Sequence, residues 1–167
     1  MLVGDGPDRS IIDDVIRRNS LDTLVLFPGF KQYEEIPAYY GLASVFLLPS
    51  LSETWGYVVN EAEACGLPVL VSNQCGCCED LVQEGVNGWT FHPKDYTRLA
   101  QLMTDATLGS HDLTAMGEAS RRLIDGYSLD AFAENLWQTV QCAQQERMPP
   151  FTPFDRCLFW TLIHARR

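Results

Sequence analysis

The sequence predicts an α/β protein in which a parallel sheet is covered by helices on both faces and followed by a helical tail. Short apolar runs alternate with amphipathic stretches over the first two-thirds of the chain, which is typical of strands alternating with helices. These runs do not alternate with polar residues, as expected for strands buried on both faces. From Asp95 onward the pattern is only helical. The sheet therefore belongs to the first hundred residues.

The elements follow one another in strand-helix order. The predicted strands cover residues 1–3, 23–30, 45–48, 68–72 and 88–91. The predicted helices between them cover residues 9–19, 34–43 and 56–66. The first helix has an apolar face made of Ile11, Ile12, Val15 and Ile16. Pro37 interrupts the second helix, Pro49 ends the third strand, and Gly66 ends the third helix.

Two more apolar helical faces lie beyond the sheet. The first consists of Leu99, Leu102, Met103 and Ala106. The second consists of Leu129, Phe132, Ala133, Leu136, Trp137 and Val140. Ser128 is the predicted N-cap of the second helix. A Pro-rich linker follows, so we divide the chain into a domain of residues 1–147 and a tail of residues 148–167 that carries an aromatic, weakly basic helix.

The composition restricts the classes of partner. A net charge of −10 argues against nucleic acid, because such surfaces need clustered Lys and Arg. No stretch approaches the roughly 20 apolar residues that span a bilayer, and residues 1–20 lack a basic region followed by an apolar core, which predicts a cytoplasmic protein. The six cysteines are unevenly spaced, which favours reduced thiols over a disulfide framework.

Three cysteines, Cys75, Cys77 and Cys78, surround one glycine after the strand over residues 68–72. A zinc site needs about four ligands, and no second Cys pair or His pair lies at suitable spacing, so we predict no metal site. Cys75 and Cys78 form a C-x-x-C pair. A redox role therefore stays open beside the packing of small residues in a turn.

The helix over residues 56–66 is the most informative element. Its first amides, those of Gly56, Tyr57 and Val58, lack partners within the helix and can hold an anion such as phosphate. Glu53 precedes the helix and Glu61 lies in its second turn. Carboxylates do not bind phosphate, so these two would accept hydrogen bonds from hydroxyl groups, such as those of a ribose and a sugar. The pattern describes a nucleotide-sugar site, and two surface acids are the alternative that spacing leaves open.

Six motifs make the sequence resemble a known family. They are V-G-D-G-P at residues 3–7, F-P-G-F at 27–30, Y-Y-G-L-A-S-V-F-L-L-P-S at 39–50, S-E-T-W-G-Y-V-V-N-E-A-E-A-C-G-L-P-V-L-V-S at 52–72, C-G-C-C-E-D-L-V at 75–82 and G-V-N-G-W-T-F-H-P-K-D at 85–95. In this order they resemble the C-terminal, donor-binding domain of the retaining GT-B glycosyltransferases of family 4, also called group 1. The resemblance implies a Rossmann-like sheet that lacks the first strand and helix of that domain.

The resemblance implies roles for nine residues. Glu53 matches a catalytic-site glutamate near the donor sugar, and Glu61 matches the glutamate that contacts the ribose hydroxyls. The implied diphosphate-binding amides are those of Gly56, Tyr57 and Val58. The residues implied beside the base and in the glycine-rich turn are Phe30, Lys31, Gly4 and Gly6. Core packing stays the alternative for Phe30, and a plain tight turn for the two glycines.

The implied activity is transfer of a sugar from a nucleoside-diphosphate donor to an acceptor, with retention at the anomeric carbon and no obligatory metal or other cofactor. In the family, an Arg and a Lys before V-G-D-G-P grip the diphosphate, and an N-terminal domain holds most of the acceptor. We therefore expect this chain to be inactive alone, either as a fragment or as a subunit that needs a separate polypeptide to supply the N-terminal domain. The alternative is a non-catalytic nucleotide-binding or protein-interaction module derived from the same fold.

The tail of residues 148–167 has two interpretations. In GT-B proteins the C-terminal helices pack on the N-terminal domain, and we favour this. Its aromatic and basic residues also fit an interfacial helix, so peripheral membrane contact is the alternative.

Overall fold

A computed structural model of the chain describes residues 1–145 and 152–154. Its helices are α1 (Arg9–Arg18), α2 (Ile36–Gly41), α3 (Tyr57–Ala64), α4 (Cys78–Leu81), α5 (Tyr96–Thr107), α6 (Leu113–Ile124) and α7 (Leu129–Gln145). Its strands are β1 (Phe46–Leu48), β2 (Val69–Ser72) and β3 (Gly88–Phe91). The described residues fall into two compact units, Met1–Gly126 and a second that starts at Tyr127. The predicted tail helix lies outside the described residues apart from residues 152–154.

The first unit is built on a three-stranded parallel sheet in the order β1-β2-β3. Phe46 pairs with Val69 between β1 and β2, and Val69 pairs with Gly88 between β2 and β3. All of β2 is buried, as its continuous apolar run predicts. A Cβ on Gly88 would overlap the carbonyl oxygen of Val69, so only glycine lets the two strands approach here. The α/β prediction is confirmed.

Apolar side chains cover both faces of β2, because successive residues of a strand point to opposite sides. The first cluster contains Val59, Ala62, Leu67, Val69, Val71, Cys75, Cys77 and Leu81. The second contains Leu70, Trp89, Phe91, Leu102 and Met116. The first cluster joins α3 to the sheet, and this packing fixes where α3 begins.

The end of α3 is as predicted. Gly66 has φ 78°, and its amide donates to the carbonyl of Glu63 at 2.8 Å, which closes the helix. α6 packs against this end: Ser120 Oγ donates to the Leu67 carbonyl at 2.7 Å. A Cβ on Gly117 would overlap the Gly66 carbonyl oxygen, so α6 approaches as closely as a backbone allows.

The strands predicted over residues 1–3 and 23–30 are wrong. The structure has a single bridge between Val3 and Gly29, with Leu2 N donating to Leu26 O at 2.8 Å. Leu24 and Leu26 are 75% and 64% exposed. An apolar run forms a strand only where a neighbouring strand pairs with it and a layer packs on it. Residues 1–4 make only two backbone hydrogen bonds to this segment, Leu2 N to Leu26 O and Gly4 N to Gly29 O.

Two smaller predictions also fail. Pro37 does not interrupt a helix, since α2 starts at Ile36 and the proline lies in its first turn, where a missing N–H costs nothing. Met103 is 47% exposed although Leu102 and Ala106 of the same helix are buried. Met103 lies about 100° around the helix from Leu102, which places it at the rim of the buried face.

The second unit contains α7. Ser128 Oγ accepts a hydrogen bond from Ala131 N at 3.2 Å, so the predicted N-cap is confirmed. The predicted boundary at residue 147 stays a prediction. In the described part of the chain, no helix is both long enough and apolar enough to cross a bilayer.

Candidate functional site

The start of α3 forms an open helix N-terminus. Gly56 is buried and left-handed, with φ 103°, a conformation that other residues rarely adopt. A Cβ there would lie 3.1 Å from Leu48 Cδ2 and 3.4 Å from Cys77 Sγ. No described side chain caps the helix. The first amides, on Tyr57 and Val58, are thus left to a ligand, and the helix dipole favours an anion there.

Glu61 is held by a tyrosine that is not among the site residues predicted from the sequence. Tyr40, from α2, donates its hydroxyl to Glu61 Oε2 at 2.9 Å and lies 3.3 Å from the Val58 carbonyl. Burial, and next the hydrogen bond to Glu61, raise the pKa of Tyr40 well above its usual value. Tyr40 therefore stays a donor at all ordinary pH values, and Oε1 of Glu61 remains to accept from a ligand hydroxyl. The signal in the sequence is the Y-Y-G end of α2.

Glu53 lies in a loop attached to the cysteine turn, and a parallel bridge pairs it with Cys75. The attachment consists of three backbone hydrogen bonds: Glu53 N to Gln74 O at 3.2 Å, Gly76 N to Glu53 O at 3.0 Å, and Cys77 N to Trp55 O at 3.1 Å. A Cβ on Gly76 would overlap the carbonyl oxygen of Thr54. Gly76 is therefore the residue that lets the two segments lie in contact.

The three cysteines are packing residues of this turn. Cys75 and Cys77 are buried, Cys78 is half-buried, and all three are free thiols. Burial raises the pKa of each, that of Cys77 to about 12. A thiol with a raised pKa is a poor nucleophile and a poor redox group. Among the described residues, no group of three or more His, Cys, Asp or Glu side chains is placed to hold a metal ion.

Phe30 and Lys31 lie before α2. Phe30 is 68% exposed, so the alternative of core packing is wrong and its ring is free for contacts. Lys31 Nζ is 3.8 Å from Glu35 Oε1 and 5.4 Å from the ring centre of Tyr39. A hydrogen bond to Tyr39 is the main cause that raises the pKa of Lys31. Lys31 is therefore a cation held close to Tyr39, and the exposed ring of Phe30 precedes it in the chain.

Gly4 and Gly6 form the turn before α1. Gly4 has φ 132°, and its amide donates to the Gly29 carbonyl at 3.0 Å, which joins the turn to the segment before Phe30. The amide of Gly6 donates to Asp5 Oδ1 at 2.8 Å, and a Cβ on Gly6 would meet nothing within 4 Å. Geometry thus requires glycine at the first position only. Their proposed contact with a donor stays a prediction.

A buried carboxyl group, Glu63, lies on α3 two residues after Glu61. Its side chain is 0% exposed, Oε1 accepts from Asn87 Nδ2 at 2.8 Å, and Oε2 has no partner among the described residues. Burial raises the pKa of Glu63 to about 8, against the lowering effect of Asn87. Asn87 also donates to the Leu81 carbonyl at 2.8 Å. The pair ties α3 to the loop before β3.

Glu63 and Asn87 are not among the site residues predicted from the sequence. The signal for Glu63 is its spacing of four residues from Val59, which places it on the buried face of α3.

Comparisons with known proteins agree on one family. The profile of the family described as "Glycosyl transferases group 1" matches residues 1–123. The amylovoran biosynthesis glycosyltransferase AmsK of Erwinia amylovora is 32% identical over 130 residues, which are 74% of this chain and 32% of that protein. The sulfoquinovosyl transferase SQD2 of Arabidopsis thaliana is 36% identical over 110 residues, 62% of this chain and 21% of that protein. The chain thus spans a third or less of the length of these relatives.

Solved structures give the same fold. A sucrose-phosphate synthase from Thermosynechococcus elongatus has a TM-score of 0.73 and 26% identity, over 85% of this chain and 37% of that one. Anabaena Alr3699/HepE, solved in complex with UDP, has a TM-score of 0.73 and 23% identity, over 84% and 40% of the two chains. The small parallel sheet flanked by helices matches these GT-B neighbours. With the family profile covering most of the chain, the protein belongs to the group 1 glycosyltransferases.

Proposed function

We propose that this chain is the C-terminal, donor-binding domain of a retaining family 4 glycosyltransferase and that it binds a nucleoside-diphosphate sugar at the start of α3. The observation that carries the proposal is the uncapped helix N-terminus at Gly56, in the same short segment as Glu53 and Glu61. A solved structure of the same fold supports it: Anabaena Alr3699/HepE was solved with UDP and with UDP-glucose.

The polar groups at this site are of two kinds, amides that bind phosphate and carboxylates that bind hydroxyl groups. Phosphate oxygens accept hydrogen bonds from the amides of Tyr57 and Val58, where the helix dipole lowers the energy of a negative charge. Glu61 accepts a ribose hydroxyl through Oε1, while Tyr40 holds Oε2. Glu53 lies on the other side of Gly56 and accepts a hydroxyl of the sugar. A base beside the exposed ring of Phe30 completes the donor.

Transfer to an acceptor is assigned to a second domain, in the same or a separate polypeptide. The relatives named above are three to five times as long as their matched segments, which leaves room in them for such a domain. We propose that the chain alone binds the donor without turning it over. A non-catalytic binding module remains the alternative, and it predicts binding without turnover even when a complementary domain is added.

Calorimetric titration of the full chain with UDP-, GDP- and ADP-sugars tests the donor site. One nucleotide class should bind, and Glu61→Ala should weaken it about tenfold or more, because a hydrogen bond to a charged group contributes about 1.5–3 kcal/mol. Glu118→Ala is the matched control, since Glu118 is an exposed glutamate on α6. If no nucleotide sugar binds and Glu61→Ala changes nothing, the donor-site proposal fails.

A further inference from the structure

An open hollow of about 320 Å³ lies at the carboxyl end of β2, between Glu53 and the cysteine turn. Asn73, Gln74 and Glu79 line it together with Glu53 and three residues of the cysteine turn. Parallel α/β sheets bind ligands outside the carboxyl ends of their strands. The hollow is therefore in the right place for a ligand, and the side chains of Asn73 and Gln74 have no role in the site described above.

The two amide side chains are oriented by each other. Gln74 Nε2 donates to Asn73 Oδ1 at 3.0 Å and lies 3.3 Å from the Asn73 carbonyl. This bond engages the side-chain oxygen of Asn73 and leaves its NH₂ group as a donor. Asn73 Nδ2 and Gln74 Oε1 have no hydrogen-bond partner within residues 1–145. A donor and an acceptor thus stand side by side at the rim of the hollow.

The charge of the lining selects the ligand. Two carboxylates, Glu53 and Glu79, line the hollow and no Lys or Arg does, so a phosphate would be repelled. The carboxylates and thiols here do not form a group that could hold a metal ion, within the described chain. Hydroxyl groups fit both partners, since each can donate to a carboxylate and accept from an amide N–H. The lining therefore matches an uncharged ligand with several hydroxyl groups.

We propose that the amide side chains of Asn73 and Gln74 form hydrogen bonds with the hydroxyl groups of the sugar and determine which uncharged sugar the site accepts. The inference rests on the proposed function, because it assigns the sugar end of the same donor. The sugar ring occupies the hollow, with Glu53 on one side and the two amides on the other. A uronic acid is disfavoured there, since its carboxylate would face Glu53 and Glu79.

The test compares a nucleotide with its own sugar conjugates. The full chain is titrated with UDP, GDP and ADP, then with the neutral hexose conjugates of the nucleotide that binds, and with its glucuronic acid conjugate. Asn73→Ala and Gln74→Ala should leave the affinity for the free nucleotide within about twofold. Each should weaken the best neutral conjugate about two- to tenfold, the range for one neutral hydrogen bond. Gln101→Ala, an exposed glutamine on α5, is the matched control and should change neither affinity.

The outcomes separate the two proposals. If no nucleotide binds, the proposed function is refuted and the inference falls with it. If the nucleotide binds and the alanine variants leave every conjugate unaffected, or weaken nucleotide and conjugate alike, the inference is overturned while the donor site stands. Tighter binding of the glucuronic acid conjugate than of any neutral one would also overturn it.

Discussion

Glu63→Gln should remove the part of the fall in the free energy of unfolding with rising pH that the ionisation of Glu63 causes. The buried Glu63 carboxyl has one hydrogen bond, from Asn87, and no cation contributes to its raised pKa. Glutamine keeps an oxygen for Asn87 and replaces Oε2 by an uncharged NH₂ group of the same size. The variant therefore preserves shape and removes only the ability to ionise.

The sign follows from the raised pKa. The folded state holds the Glu63 proton up to about pH 8, whereas the unfolded chain releases it near 4.5. Below pH 4.5 both states are protonated and nothing is lost. Between these values the unfolded state ionises first, so the free energy of unfolding falls as pH rises through this window. A difference of 3.5 pKa units corresponds to about 5 kcal/mol at most, comparable with the whole stability of a marginal domain.

The assay is urea denaturation of wild type and Glu63→Gln at pH 5, 7 and 9. The two proteins should differ by less than about 1 kcal/mol at pH 5, and the variant should be more stable by several kcal/mol at pH 9. Other titrating groups are common to both proteins and cancel in the difference. Glu118→Gln should follow the wild-type curve, because Glu118 is exposed. Parallel curves for wild type and Glu63→Gln would refute the argument.

Two further changes probe the site. Gly76→Ala should destabilise the fold by about 1–3 kcal/mol, because the new Cβ overlaps the Thr54 carbonyl. The control is Gly41→Ala, which has no atom within 4 Å of the new Cβ and should stay within about 1 kcal/mol of wild type. Equal denaturation midpoints for the two variants would contradict this prediction. Tyr40→Phe should weaken nucleotide binding about two- to tenfold in a calorimetric titration, because Glu61 loses the hydrogen bond from the Tyr40 hydroxyl. An unchanged affinity would show that Tyr40 does not position Glu61.

Sequence patterns predicted the elements whose formation depends only on the residues of the segment itself. The runs at β1, β2 and β3 and the glycine that ends α3 need only burial and backbone conformation, and both are visible in the residue types. The segment over residues 23–30 has the same apolar character, yet it forms one bridge. Strand formation depends on neighbours that are distant in sequence, and the pattern of the segment itself carries no information about them.

The candidate site was predicted in part for the same reason. The helix N-terminus and the spacing of Glu53 and Glu61 follow from helix geometry alone. The hydroxyl of Tyr40 reaches Glu61 from another helix, through a tertiary contact that no spacing rule describes. Glu63 was missed because a glutamate on a helix is ordinarily a surface residue.

Three backbone hydrogen bonds attach the loop that carries Glu53 to the cysteine turn. The side chains of Asn73 and Gln74 take no part in these three bonds, whereas Cys75 and Cys77 pack in the core and Gly76 admits no side chain. Substitutions at positions such as Asn73 or Gln74 can then alter what the hollow recognises without moving Glu53. In a scaffold of this kind the backbone positions Glu53 and the side chains contact the ligand. New ligand preferences therefore arise by single substitutions that leave the architecture of the site intact.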